Sequence, residues 1–172
     1  GISVAKGEII GIINSDDWYE VNAVELIVEA YKQNPDKKIF HGDRFDVLED
    51  GSKHVRKFNN SKFRFLYYGM TYNHPAMFVH RDIYKEFIYN TSLIALSDYQ
   101  FVLSVFLKDK HVFKYIPETY VNYRLDGISA QIKLQQKLRE GFISRKNAGQ
   151  NIIKNYFSFT VRMLVFLFYK LR

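Results

Sequence analysis

The chain has 172 residues, 47% of them hydrophobic and 17% aromatic, which is ample apolar material for a packed core. It contains no cysteine, so disulfide frameworks and thiolate metal sites are excluded, in keeping with a reducing compartment. A formal charge of +7 suits nucleic acid, anionic lipid or a phosphorylated ligand, and it equally suits a solvated basic surface.

The opening "GISVAKGE" has no initiator Met and no signal-peptide pattern, so the chain reads as a fragment whose N-terminal part is absent. There is no internal repeat or low-complexity tract. The basic stretch "KHVRKFNNSKFR" at 53–64 lacks the interleaved aromatic and Gly pattern of an RNA-binding sheet. No zinc-finger or helix-turn-helix signature occurs, and no nucleic-acid partner is expected.

Residues 9–13, "IIGII", are apolar on both alternating faces, the pattern of a strand buried on two sides in a parallel sheet. Asn22 with Glu25 has the form of a capping box, and Val24, Ile27, Val28 and Tyr31 mark one face of the helix that follows. Asn34-Pro35 ends it. "KIFHGDRFDVLEDGSKHVRKF" reads as a hairpin turning at Asp50-Gly51. A short helix over 61–69, an irregular loop and a brief strand around 76–79 come next. Ser97-Asp98-Tyr99-Gln100 is a second cap pattern, opening a helix to about Lys108. "VFKYIPETYVNYRL" predicts a strand, and helices follow from Ile132. Strand, helix, strand and later helices argue an α/β fold.

The run "EIIGIINSDDWYE" leads an apolar strand straight into Asp16 and Asp17. Two adjacent carboxylates repel each other by roughly 1 kcal/mol at about 5 Å in water. A solvated acidic turn tolerates that cost. A hard divalent cation gives the pair a purpose, because Mg²⁺ and Mn²⁺ prefer carboxylate and phosphate oxygens.

In context, "GISVAKGEIIGIINSDDWYEVNAVE" resembles family 2 glycosyltransferases of the GT-A fold. Further matches follow in the family's order: "YNHPAMFVHRDIY" at 72–84, "LSDYQFVL" at 96–103 and "YVNYRLDGIS" at 120–129. The resemblance implies a Rossmann-like nucleotide-diphospho-sugar transferase fold, a mixed sheet flanked by helices, with a C-terminal helical tail. It also implies a division into residues 1–130, the later part of a GT-A domain without its first nucleotide-binding half, and 131–172, a helical extension. The implied activity is inverting transfer of a sugar from a nucleotide-diphosphate donor to a saccharide or lipid-linked saccharide acceptor, in surface polysaccharide or glycan assembly.

Carried over residue by residue, the resemblance makes Asp17 a metal ligand for Mg²⁺ or Mn²⁺, with Asp16 supporting the metal or touching the donor ribose. Asp98 matches the acceptor-side general base, which takes the proton of the attacking hydroxyl. As an acid in the first turn of a helix it also complements the macrodipole, and the two roles are compatible. Arg124, with Asp126, Gly127 and Ser129, matches the loop that closes over the donor diphosphate. Asn122 stands where some relatives place a His ligand. His74 and Asp43 are acceptor-side candidates, each also explained as a structural loop His or an exposed turn acid. Trp18, the only Trp, is a candidate to stack on a sugar face, although its place beside the acidic pair favours packing.

Residues 156–169, "YFSFTVRMLVFLFY", are apolar nearly all round, with Arg162 inside. The stretch is shorter than the ~20 residues a spanning helix needs. It reads as a monotopic anchor on the cytoplasmic face of an anionic inner membrane, or as a helix packed on protein. Two further readings are a non-catalytic nucleotide-sugar or carbohydrate-binding relative and a membrane-associated scaffold.

Overall fold

The computed structural model describes residues 1–125 and 132–170. Strands β1 (Ile9–Gly11), β2 (Trp18–Tyr19), β3 (Ile39–Val47), β4 (Lys53–Arg56), β5 (Met77–His80) and β6 (Phe113–Arg124) form one sheet. The helices are α1 (Ala23–Gln33), α2 (Ser97–Lys108), α3 (Leu134–Asn147) and α4 (Ile152–Lys170). The chain folds into two compact units that interleave in sequence: residues 1–59, 72–86 and 110–130, and residues 60–71, 87–109 and 131–172.

The first unit holds the sheet, in the order β1-β5-β3-β6-β2, with β4 extending β3 as a hairpin. β3 and β6 run parallel and the other pairings are antiparallel, so the sheet is mixed. This α/β architecture, a mixed sheet with flanking helix, is consistent with a GT-A-like fold. The "IIGII" segment behaves differently from its expectation. β1 lies at the sheet edge, half-buried, and pairs antiparallel with β5. Gly11 permits this packing, since a Cβ there would stand 2.6 Å from the Phe78 ring.

Pro117 interrupts β6, and the register with β3 shifts at that point: Gly42 pairs with Ile116 and Asp43 with Thr119. A proline cannot donate to the ladder, so two residues of β6 loop past one step of β3 as a bulge. Gly42 is required there, because a Cβ would strike the Tyr120 ring and the Glu118 carbonyl.

Helix α1 packs on the sheet through Ala23 and Ile27, with Leu26, Ala30 and Tyr31 at the margin. Val24 and Val28, expected on the inner face, point outward. The face that wins carries Ala23, which lets the helix approach the sheet closely. Asn22 occupies the N-cap position but its side chain makes no capping bond. Phe40, Ala76, Phe78, Ile116, Tyr120 and Val121 complete this core, and the Tyr120 hydroxyl donates to the Ala76 carbonyl at 2.7 Å.

The second unit is helical. Phe65, Tyr99, Phe101, Val102, Leu103, Val105 and Leu138 are buried in it. The predicted helix at 61–69 is one π-helical turn, Arg64–Tyr68. Glu140 of α3 is buried and accepts the backbone N–H groups of Ile94, Ala95 and Leu96, the orphan donors just before α2. Those bonds hold its pKa below the usual glutamate value against the opposing pull of burial.

Candidate active site

In open α/β sheets, ligands gather at the carboxyl ends of parallel strands. Here that pair is β3 and β6, not the strand of "IIGII". Asp17 reaches this end from the turn before β2: its Oδ1 accepts the backbone N–H of Arg124, the last residue of β6, at 3.0 Å. Its Oδ2 accepts from Asn14 Nδ2 at 2.9 Å. The acidic turn is thus fastened at both sides. Burial raises the Asp17 pKa, the Arg124 and Asn14 hydrogen bonds lower it, and the adjacent Asp16 charge raises it again, leaving it above the ordinary aspartate value.

Beside this turn lies a cavity of about 530 Å³ lined by Trp18, Val47, Leu48, Glu49, Gly51, Lys53, Arg124 and Leu125. Three elements build it: β2 gives the indole, the β3–β4 turn gives Val47 to Lys53, and the end of β6 gives Arg124. Gly51, at φ +82°, is what lets the hairpin turn there. The Lys53 ammonium sits 5.8 Å and the Arg124 guanidinium 5.7 Å from the Trp18 ring centre. Trp18, 39% exposed, forms a wall of the cavity. Lys53 also pairs with Glu20 at 3.1 Å. Sequence reading missed Lys53; its signal, a cation just after the Asp50-Gly51 turn, has meaning only once the hairpin is folded back towards β2.

Asn122 is fully buried, opposite Trp18 across the β2–β6 ladder, and its Nδ2 donates to Glu20 Oε1 at 2.9 Å. Asp43 is not an exposed turn acid. It lies within β3, 4% exposed, and its Oδ1 accepts from Phe58 N–H at 2.8 Å and Tyr115 O–H at 2.9 Å. Burial, then the Asp43 carboxylate, pushes the Tyr115 pKa up to about 12, so this phenol stays a donor. Asp43 therefore ties the hairpin return to β6. His74 opens a short 3₁₀ turn, His74–Ala76, leading into β5.

Asp98 belongs to the helical unit. Leu96 is the N-cap of α2, so Ser97 does not cap it, and Asp98 Oδ1 accepts Tyr99 N–H at 2.7 Å in the first turn. Ser129, Asp126 and Gly127 lie outside the described residues. The structure thus brings Asp16, Asp17, Trp18 and Arg124 to one sheet end.

Among the described residues no group of three His, Cys, Asp or Glu side chains is placed to hold a metal. Two neighbouring carboxylates are nonetheless the donor set on which Mg²⁺ is held together with substrate phosphates.

No family model matches the chain. Over 159 residues, 90% of its length, it is 26% identical to the chondroitin synthase of Pasteurella multocida (strain Pm70), of which it covers 16%. It is 28% identical over 134 residues, 77% of the chain and 14% of the relative, to the hyaluronan synthase of Pasteurella multocida. A third relative, an uncharacterized protein of Sinorhizobium fredii (strain NBRC 101917 / NGR234), is 31% identical over 78 residues, 45% of this chain and 9% of that protein. The chain spans no more than 16% of the length of these relatives. At this low identity the similarity supports a relationship to glycosyltransferases.

Proposed function

We propose that the chain is part of a metal-assisted glycosyltransferase of family 2, which moves a sugar from a nucleotide-diphosphate donor to an acceptor hydroxyl with inversion. The observation that carries this reading is the Asp16–Asp17 turn fastened to the carboxyl end of β6, beside a cavity walled by Trp18, Lys53 and Arg124. Likeness to two glycan synthases supports it and suggests polysaccharide assembly as the setting.

In this proposal Asp17, helped by Asp16, holds Mg²⁺ or Mn²⁺. When bound, the ion supplies positive charge against the departing diphosphate. Arg124, at the cavity wall, adds a guanidinium suited to phosphate oxygens, and the resemblance assigns Ser129 to donor binding as well. Trp18 offers an apolar face to a sugar ring. Asp98 takes the proton of the acceptor hydroxyl as its oxygen bonds to the anomeric carbon; the bond to the diphosphate breaks, and its electron pair leaves with the diphosphate. The acceptor is a saccharide or a lipid-linked saccharide, with α4 meeting a membrane surface.

Calorimetry on the full chain should register Mn²⁺ or Mg²⁺ uptake in the presence of UDP, and a screen of nucleotide sugars should release nucleoside diphosphate. Asp17→Asn should weaken both by about 100-fold or more, since it removes a charged ligand. Cation binding needs the ionised carboxylate, so uptake should fall as pH drops through the raised Asp17 pKa. No cation uptake with or without UDP would overturn the proposal. Saccharide binding without turnover would favour a non-catalytic binding relative.

A further inference from the structure

In the helical unit two arginines, Arg145 and Arg162, bury part of their guanidinium groups, and no ion pair to a carboxylate is formed by either among the described residues. Arg145 of α3 is 1% exposed. Its Nε donates to the Leu66 carbonyl at 3.2 Å and its Nη1 to the Gly141 carbonyl at 2.8 Å, and its guanidinium lies 5.2 Å from the Tyr99 ring centre. Its Nη2 is buried without a partner. Arg162 of α4 is half-buried, 6.0 Å from the Tyr68 ring centre, and its Nη1 is likewise buried without a partner. Both heads converge on Gly141: a Cβ there would stand 2.6 Å from Arg162 Nη1 and 3.0 Å from Arg145 Nη1.

Like charges at such separation repel, and burial lowers the pKa of both groups. For Arg162 the neighbouring Arg145 charge lowers it further. Tyr99 is no counter-ion, because burial raises its pKa and keeps it neutral. A water molecule satisfies an orphan N–H but leaves the repulsion between the cations untouched. A tetrahedral oxyanion answers both needs, since its several oxygens accept from the Arg145 Nη2 and Arg162 Nη1 groups together while its charge neutralises both cations.

We propose that Arg145 and Arg162, converging on the face of α3 left bare by Gly141, form a site for a small oxyanion of the phosphate class that links α3 to α4. The site is separate from the acidic turn and cavity of the sheet unit and does not depend on the glycosyltransferase reading. Arg145 is the fixed half, held by two backbone carbonyls. Arg162 is the half-exposed member and gives the ion its way in. Occupancy would join the two helices and tune the stability of this unit to the phosphate around it.

The test is thermal unfolding of the full chain in inorganic phosphate against chloride at matched ionic strength, with calorimetric titration of phosphate. The expected result is a phosphate-specific rise in Tm that saturates, with binding seen by calorimetry. Arg162→Gln should abolish the rise, and in chloride this variant should melt no lower than the parent because a like-charge contact is gone. Arg139→Gln, an exposed charge on α3, should leave the phosphate effect unchanged. Should Arg162→Gln fail to fold, Arg162→Lys keeps the charge without the fork and should weaken phosphate binding about tenfold. A parent chain indifferent to phosphate, or an equal phosphate effect in parent and Arg162 variants, would overturn the site.

Discussion

At the scale of single residues, the buried side chains split into those that tie strands together and those that carry chemistry. His41 belongs to neither group and has its own consequence. It is 2% exposed in an aromatic box, with ring centres of Phe58 at 4.6 Å, Tyr72 at 4.8 Å and Tyr115 at 5.5 Å, and its Nδ1 has no partner. Burial lowers its pKa to about 3, so it is neutral in the folded chain. The unfolded chain takes up this proton near the ordinary histidine value of about 6.5. The stabilisation is therefore fully present above that value. It is lost as pH falls towards 3, at about 1.4 kcal/mol per pH unit. Urea titrations between pH 7 and 4 should show this slope, and His41→Phe, which keeps the aromatic packing, should flatten it. No such position is legible in a sequence, because "IFHGD" places a histidine in a strand without saying that three rings box it in. Asp17 is the opposite case: the adjacent acids were visible at once, and the strand end they attach to was not.

At the scale of elements, hydrophobic period and turn residues foretold the hairpin, the α2 span and the β6 strand. Long-range pairing decided the rest. "IIGII" is apolar enough for a central strand, yet it meets only β5 and remains at the edge. In α1 the period was right and the face was half right: Ile27 and Tyr31 turn inward, Val24 and Val28 do not, and Ala23 permits the close approach. The β3–β6 bulge is the element whose failure is easiest to measure. Gly42→Ala would drive a methyl into the Tyr120 ring and to 2.8 Å from the Glu118 carbonyl, and backbone cannot yield as a flexible side-chain tip can. The expected cost is about 1–3 kcal/mol, read as a lower denaturation midpoint with an unchanged m-value. Helix α4 supplies the other element-scale prediction. Tyr156, Phe157, Phe159, Leu164, Leu167 and Phe168 stay exposed along it, and Lys154 is exposed nearby. Among the described residues no helix is long and apolar enough to cross a membrane. If this face enters a lipid interface, the chain should co-float with vesicles containing phosphatidylserine and Phe157→Glu should reduce co-flotation, more so at high salt. Co-flotation unaffected by the variant would remove lipid as the partner of this face.

At the scale of the whole molecule, the tail takes up the second of the two roles its sequence allowed, a helix packed on protein. Read alone, "YFSFTVRMLVFLFY" is apolar nearly all round and does not say which side would pack on protein. In the structure one side of α4 is held by polar ties: Asn155 Nδ2 donates to the Phe142 carbonyl at 2.9 Å, and the Ser158 hydroxyl donates to the Tyr67 carbonyl, both residues being fully buried. These two short polar side chains, three apart, mark the inward stripe, and periodicity computed on apolar residues alone passes over them. A scaffold whose function resides in the tail, or an anchor that only touches lipid, predicts that removing residues 152–172 leaves the remaining fold intact. The packing predicts otherwise. Without α4, the Phe142 and Tyr67 carbonyls lose their donors and the α3 face around Arg145 is opened to water. Circular dichroism of the truncated chain should then show a helical loss larger than the 19 residues of α4, together with a lower and broader melting transition. A loss limited to those residues, with an unchanged melting point, would return α4 to the status of an appendage.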